Sequence, residues 1–328
     1  MSSSFERRTF LRATLAAGTT LAGFPALAQT PSPVRWPSRP VTVIVPFPVG
    51  GAGDGALRVL AEVIGPRLTQ SLVIENRPGA GGLVGNSYVA LNGTDHTLLM
   101  GSSSITILSA LRKALPYDLK RDLQPVGMIS TQPMVFVVGA TSPLKSLDDM
   151  LSAGRAGGIS VGTSGVGSLA HLTTEFVNHR LGTRFLPVPY KGGSALVSDV
   201  VSGTVSMAVV TLPVAIPLIQ NGRMRALALT SPHPATALPG VPVLSSKDSD
   251  LVIMGWAGLF ASKSVPAAGV QRVEQLLRQA LAEPGVEERL AALGVHAEPS
   301  TAAELNDLVN REVERWTMVG RESNIKLE

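Results

Sequence analysis

The feature that most constrains this chain is an order of elements that occurs twice: an apolar strand, a glycine-rich loop, a helix and a second strand. In the first copy VTVIV leads into PFPVGGAGDG, and Gly51 precedes Glu75 by 24 residues. In the second copy a strand at 159–161 leads into GTSGVGSLAH, and Gly165 precedes Tyr190 by 25 residues. Strands that alternate with helices predict an α/β fold with parallel strands. Such sheets bind ligands where the carboxyl ends of strands meet helix starts.

Each loop offers a ligand mainly backbone N–H groups rather than side chains. The first N–H groups of a helix lack intrahelical partners, and aligned peptide dipoles add about half a positive charge there. Glycine permits close approach and positive φ, so both loops predict anion sites that need no Arg or Lys. Asp54 is itself an anion, and we interpret it as a helix N-cap that fixes the first loop. The alternative is that both loops are only tight turns. The candidate amide donors are Gly50, Gly51, Ala52 and Gly53 in the first loop and Ser164, Gly165, Val166, Gly167 and Ser168 in the second.

Periodicity along the rest of the chain predicts further elements. Ser146 is a plausible N-cap for a short helix, and MGWAGLFAS is typical of a strand that returns from the second unit to the first. The chain is expected to cross between its two units near residues 130 and 250. Helices are predicted at 56–68, 83–91, 146–153, 169–181, 269–282, 287–293 and 301–319.

Residues 1–28 predict an export signal. ERRTFLRA puts paired arginines before an apolar stretch that ends at Phe24, and ALA at 26–28 offers a small-residue cleavage site. The arginine pair indicates the twin-arginine route, and an uncleaved amphipathic start is the alternative. The chain has no cysteine, which excludes disulfides, a cysteine-linked lipid and thiolate chemistry. The mature protein is therefore expected to be free in the periplasm.

Composition argues against a nucleic-acid partner. Aromatic residues make up 4% of the chain, and without residues 1–28 the formal net charge falls from +4 to +2, with 25 basic against 23 acidic residues. No long basic run remains. No later segment has about 18 uninterrupted apolar residues, the length that a membrane span needs.

Two enzymatic alternatives stay open at this point. GAGDGA, with Glu75 at the end of the next strand, fits a dinucleotide-binding fingerprint, although Pro46 and Pro48 separate the first strand from its glycines. Ser164 and His171 could form a hydrolase pair, but GTSGVG lacks the spacing of a nucleophile elbow. The five histidines show no metal-ligand spacing.

Several motifs, in order along the chain, resemble the tripartite tricarboxylate transporter substrate-binding proteins, also called the Bug or TctC family. They are WPSRPVTVIVPFPVGGAGDGALRVLAE, VIENRPGAGG, GTSGVGSLAHL, VPYKGGSALVSDVVSGTVSMAV and WAGLFASKSVP. The resemblance implies a periplasmic type II binding protein with a Venus-flytrap shape, in which each of two α/β lobes is a mostly parallel sheet flanked by helices. Lobe 1 would be 29–130 plus 250–328, and lobe 2 would be 131–249. Such proteins trap small carboxylates for membrane transporter subunits, and some serve sensor kinases instead.

The resemblance also implies ligand contacts that hold a carboxylate mainly through backbone N–H groups and hydroxyls, with Tyr190 as a wall of the cleft. Two departures from the family pattern stand out: Gly53 takes the place of a threonine, and 107–112 differs near the expected pocket. The implied contacts are Phe47, Gly50, Gly51, Ala52, Gly53, Asp54, Ser102, Ser103, Ser164, Gly165, Gly167, Ser168, His171, Tyr190, Lys191 and Gly192.

These observations together predict a monomeric binding protein for an organic acid or acidic amino acid, without cofactor, metal or turnover. A carboxylate that touches both loops satisfies both sets of donors only when the lobes are closed. Ligand is therefore expected to favour the closed form.

Overall fold

The computed structural model describes residues 36–50, 52–190, 193–293 and 295–327. The predicted export signal at residues 1–28 lies outside the described residues. Strands form where apolar and β-branched residues run between glycine, proline or polar breaks. In chain order the strands are β1 (Val41–Val45), β2 (Leu72–Asn76), β3 (Thr97–Ser102), β4 (Leu123–Gly139), β5 (Ser160–Thr163), β6 (Leu186–Pro189), β7 (Met207–Thr211), β8 (Met224–Leu229), β9 (Met254–Ser262) and β10 (His296–Ala297).

Helices follow most strands, and several begin at hydroxyl caps. The predicted cap at Ser146 is confirmed, because its side chain accepts from Asp149 N. Within the described ranges no helix is both long and apolar enough to cross a membrane. The helices are α1 (Ala52–Arg67), α2 (Leu83–Asn92), α3 (Ser103–Leu111), α4 (Leu119–Asp122), α5 (Leu147–Ala156), α6 (Leu169–Leu181), α7 (Gly193–Ser202), α8 (Leu212–Gln220), α9 (Ala267–Leu281), α10 (Pro284–Ala292) and α11 (Ala302–Glu322).

The strands form a sheet in the order β2-β1-β3-β9-β4-β7-β5-β6, with β8 and β10 also paired to β4. In the first lobe β1 is parallel to β2 and β3, and in the second lobe β5 is parallel to β6 and β7. Between them, β9 is antiparallel to β3 and β4, and β4 is antiparallel to β7, β8 and β10. The predicted two-lobed α/β fold is confirmed. Its sheet is mixed rather than mostly parallel, because the strands that join the lobes oppose their neighbours.

Strand β4 passes from one lobe into the other. Up to Pro133 it pairs with β9, and from Met134 onward it pairs with β7 and β8. Thr230, which is fully buried, links this crossing to the second crossing segment, which leads into β9. Its hydroxyl accepts from Met134 N at 2.9 Å, and its carbonyl accepts from Ile253 N at 2.9 Å. Because Ile253 directly precedes β9, the two crossing segments are held side by side.

The apolar core has a part in each lobe, and α11 contributes to both. Leu305, early in α11, packs in the first lobe, whereas Trp316, later in the helix, packs with Phe136 and Phe176 of the second. The exact lobe boundaries remain a prediction. The later half of α11 nevertheless shares a core with the 131–249 segment.

Candidate functional site

In the first lobe, three chain segments meet beyond the carboxyl ends of β1, β2 and β3. A Cβ on Gly82 would lie 3.2 Å from Ser104 Oγ and 3.6 Å from Phe47 Cζ. Gly82 has φ 101°, a left-handed conformation that glycine adopts without strain. Phe47 and the start of α3 therefore approach each other across a glycine.

Asp54 fixes the first glycine loop, residues 47–54. The prediction that Asp54 is the N-cap of α1 is wrong, because Asp54 is buried within the first turn of that helix. Its Oδ2 accepts from Gly50 N at 3.0 Å and from Arg58 Nε at 3.0 Å. Its Oδ1 accepts from Asn76 Nδ2 at 3.0 Å, and the same amide nitrogen donates to Phe47 O. Burial acts to raise the pKa of Asp54, but the hydrogen bonds from Arg58, Gly50 and Asn76 outweigh it and leave the pKa below its ordinary value.

These contacts correct part of the predicted donor set. The Gly50 amide donates to Asp54, so it is not an unclaimed donor. Gly51 lies outside the described residues, and Ala52 and Gly53 form the start of α1. A Cβ on Gly53 would lie 2.8 Å from Met100 Cε. The space that a threonine would need at position 53 is therefore filled by Met100.

The start of α3 supplies hydroxyls to the same region. Ser102 is its N-cap and accepts from Ser104 N at 3.3 Å, while the two hydroxyl oxygens lie 3.0 Å apart. Ser103 is buried in the first turn. The altered segment 107–112 covers the end of α3, where Ile107 and Leu111 are buried in the second-lobe core. Any effect of that segment on the ligand would therefore act through the packing of α3.

The second glycine loop, residues 164–171, closes on itself in the same way as the first. Ser168 caps α6: its Oγ accepts from His171 N at 3.2 Å and donates to Gly165 O at 2.7 Å. Gly165 and Gly167 have φ 123° and 74°, which favours glycine at both positions. His171 Nδ1 accepts from Gly167 N at 3.1 Å.

Two more predicted donors are thus engaged within the protein. Gly167 N donates to His171, and Ser168 N donates to Gly165 O at 3.2 Å. The amides of Ser164, Gly165 and Val166 donate to no acceptor among the described residues. In both loops an acceptor side chain four residues after a glycine takes that glycine's N–H. This spacing is the sequence signal that could have identified the engaged amides.

His171 is held as a neutral imidazole. Its Nδ1 must carry a lone pair to accept from Gly167 N, which leaves the proton on Nε2, 3.9 Å from Glu175 Oε1. Burial lowers the pKa of His171, and the charge of Glu175 only partly offsets that effect. Since Nδ1 is occupied and Nε2 faces Glu175, the geometry does not support the alternative of a Ser164–His171 hydrolase pair.

Tyr190 is engaged inside the second lobe. Its hydroxyl donates to Asp199 Oδ2 at 2.6 Å, and this bond, together with burial, raises the pKa of Tyr190 to about 12. Its ring packs with the apolar residues around β7 and α7. The phenol oxygen is therefore occupied by a protein carboxylate. Lys191 and Gly192 lie outside the described residues.

The starts of α3 and α6 flank the same part of β9. Ser102 is opposite Ala257, and a Cβ on Gly255 would lie 3.5 Å from Leu169 Cδ2 at the start of α6. Ala257 and Gly255 are two residues apart, about 7 Å along a strand. The two helix starts, one from each lobe, therefore stand close together at the crossing.

Two polar groups near this crossing were missed from the sequence. The Thr163 hydroxyl, fully buried directly before the second loop, and the side-chain oxygen Oε1 of Gln132, a residue beside Gly255, have no hydrogen-bond partner in the described part of the chain. No local sequence pattern distinguishes such groups. In the part of the chain that the structure describes, no cluster of His, Asp or Glu side chains is placed to hold a metal ion.

Comparisons with known proteins agree with this architecture. The family model described as Tripartite tricarboxylate transporter family receptor (TctC) matches residues 56–325. Protein BugT of Bordetella pertussis is 33% identical over 314 residues, which cover 93% of this chain and 96% of BugT.

Solved structures match over nearly the same span. An R. palustris protein determined with adipate has a TM-score of 0.80 and 28% identity, covering 89% of this chain and 99% of that one. MatC from Rhodopseudomonas palustris, with bound malate, has a TM-score of 0.75 and 27% identity, covering 87% and 99%. The chain therefore belongs to the TctC family of tripartite tricarboxylate transporter receptors, and it is a periplasmic solute-binding protein rather than an enzyme.

Proposed function

We propose that this protein captures a small carboxylate between its two lobes and passes it unchanged to subunits of a membrane transporter. The observation that carries this proposal is the position of the α3 and α6 starts on either side of one short stretch of β9. A carboxylate between these helix starts would meet amide dipoles from both lobes. Each dipole end favours an anion.

The donors that support this role are backbone amides and hydroxyls. The second loop contributes the amides of Ser164, Gly165 and Val166, and the start of α3 contributes Ser102 and Ser104 hydroxyls. Hydrogen bonds to a charged group contribute roughly 1.5–3 kcal/mol each. About three of them, after the cost of association, support micromolar or tighter binding.

Arginine charge near the first loop is already neutralised. Arg58 pairs with Asp54 at 3.0 Å, and Arg77 pairs with Glu75 at 2.7 Å while its guanidinium lies 3.6 Å from the centre of the Tyr88 ring. Because these arginines are already paired with carboxylates of the protein, we expect the ligand to be held mainly by oriented backbone dipoles. The carboxylate class is also supported by the relatives determined with adipate and malate.

Calorimetry on the mature protein with adipate, malate, succinate and glutamate tests the proposal. We expect at least one acid to bind with about one-to-one stoichiometry and to be recovered unchanged. The variant Gly165→Asp places a negative charge among the second-loop amides and should abolish binding. Among the described residues, a Cβ at position 165 meets only Tyr190 O at 3.6 Å, which leaves room for the new side chain.

Gly158→Asp is the matched control, because Gly158 also has positive φ and its Cβ position has no neighbour within 4 Å in the part of the chain that the structure describes. Both variants carry the backbone strain of a non-glycine residue in that conformation, but only Gly165 lies in the second glycine loop. If Gly165→Asp binds as well as Gly158→Asp, the assignment of the second loop is wrong. If the wild-type protein binds none of the acids, the carboxylate class is wrong.

Three finer points belong to the same proposal. ERRTFLRA favours export by the twin-arginine route, and replacement of both arginines of the pair by lysine should retain the precursor in the cytoplasm. The two glycine loops, at residues 47–54 and 164–171, would both contact the bound ligand. The protein would act as a monomer, which light scattering of the purified protein checks.

A further inference from the structure

The residues after α11 turn back and lie along the end of α3. Asn324 adopts a left-handed conformation with φ 53°, and Ile325 N donates to Gly320 O at 2.8 Å. The chain then runs beside α3: Leu327 N donates to Leu111 O at 3.1 Å, and Lys113 N donates to Leu327 O at 3.3 Å. These two backbone bonds fix the position of Leu327.

The side chain of Leu327 contacts the second glycine loop. Both of its methyl carbons lie 2.7 Å from the place where a Cβ on Gly167 would be. Leu327 is half-buried and packs with the second-lobe core. A residue far along the chain, anchored on α3, is thus seated directly against a loop of the candidate site.

Gly167 has both a backbone conformation that favours glycine and a bond to His171. Its φ of 74° is left-handed, and its N–H donates to His171 Nδ1 at 3.1 Å. The peptide that carries this N–H also contains the carbonyl of Val166, directly after the amides of Ser164 and Gly165. A change in the position of Gly167 would therefore reorient the neighbouring amides as well as release His171.

We propose that Leu327 is a positioning residue for ligand binding: it holds Gly167 in place and so presents the second-loop amides to the ligand. The same tail is anchored to α3, whose other end at Ser102 faces the first half of the site. The residues after α11 therefore connect the two halves of the site independently of the strands that cross between the lobes. This inference rests on the proposed carboxylate binding for its affinity readout.

The experiment compares Leu327→Ala with Leu186→Ala in the full mature protein. Leu186 is in the same lobe as the second glycine loop and is 55% exposed, so its truncation controls for the loss of a leucine side chain. Leu327→Met keeps the apolar volume and tests rescue. Adipate affinity is measured by calorimetry, and the pKa of His171 is measured by an NMR pH titration.

We expect Leu327→Ala to weaken adipate binding by roughly three- to tenfold, while Leu186→Ala and Leu327→Met stay within about twofold of wild type. The pKa of His171 should rise in Leu327→Ala alone, because the imidazole loses the Gly167 N–H and some burial. A merely structural role would lower the melting temperature without moving this pKa.

If Leu327→Ala leaves the pKa of His171 unchanged, the positioning role is overturned. If the wild-type protein binds no adipate, the affinity arm is repeated with whichever acid in the calorimetric panel binds. Should none bind, the proposed function fails, but the NMR titration still decides whether Leu327 holds Gly167.

Discussion

Asp54 stabilises a loop that has few side chains of its own. Its donors hold the pKa of the carboxyl below its ordinary value, even though burial acts in the opposite direction. A carboxylate with a lowered pKa in the folded state contributes stability that is fully present above the unfolded pKa. That stability is lost as the pH falls through the lowered folded value. The first loop should therefore loosen only in strong acid.

Asp54→Asn should lower the free energy of unfolding by about 2 kcal/mol, because an amide NH₂ would face donors that now meet a carboxylate. Urea unfolding at neutral pH measures this change. Asp148→Asn is the control: that side chain is 82% exposed, and its ion pair with Lys247 is at the surface, where such pairs contribute little, so its replacement should shift the midpoint far less. Equal midpoints for the two variants would contradict the role given to Asp54.

At the scale of elements, hydroxyl caps start the helices that matter for the site and for the link between the lobes. Ser102 caps α3 and Ser168 caps α6. Thr301 starts α11 with a capping box, in which its hydroxyl accepts from Glu304 N and the Glu304 carboxylate accepts from Thr301 N at 2.8 Å. A cap of this kind satisfies N–H groups that the helix itself leaves without partners.

Thr301→Ala should destabilise the protein by about 1 kcal/mol through loss of the cap, with no change in ligand affinity because the bonds of the cap join Thr301 to Glu304 at the start of the same helix. Thermal unfolding and calorimetry measure the two quantities. Thr317→Ala on the same helix is the control: its hydroxyl donates back to Val313 O, a bond that contributes little to helix stability. A loss of affinity in Thr301→Ala would show that α11 acts on the site.

At the scale of the whole molecule, Arg315 joins α11 to the crossing segment and to α6. Its Nη1 donates to Val252 O at 2.9 Å, and its Nη2 donates to Asp250 O at 2.6 Å. The guanidinium also lies 5.1 Å from the centre of the Phe176 ring, a distance typical of a cation–π contact. Burial lowers the pKa of Arg315, but an arginine remains charged at any physiological pH.

Arg315→Ala should lower the free energy of unfolding by about 2 kcal/mol, because two backbone carbonyls lose a charged donor. It should also make the segment around residue 250 more sensitive to limited proteolysis in the absence of ligand. Arg311→Ala, one turn earlier and exposed, should behave like wild type in both assays. Cleavage that does not differ between the two variants would contradict the role given to Arg315 in joining α11 to the crossing segment.

Local signals predicted some elements to the residue and missed others. The helix at 169–181 and the strand MGWAGLFAS end as predicted. The helices α3, α4, α7 and α8 were not predicted. α3 (SSITILSAL) contains β-branched residues, which are poor helix formers, and α8 (LPVAIPLIQ) contains an internal proline. Tertiary packing overrides weak propensity in both helices.

By itself, the sequence determined that two glycine loops follow two strands and that each precedes a helix, because positive φ and strand periodicity are local properties. It also carried the motifs of the TctC family. Only the tertiary structure decided that α3 and α6 begin on either side of β9 and that Leu327 rests against Gly167. Those contacts join residues distant in the chain, so they depend on how β4, β9 and α11 pack the two lobes together.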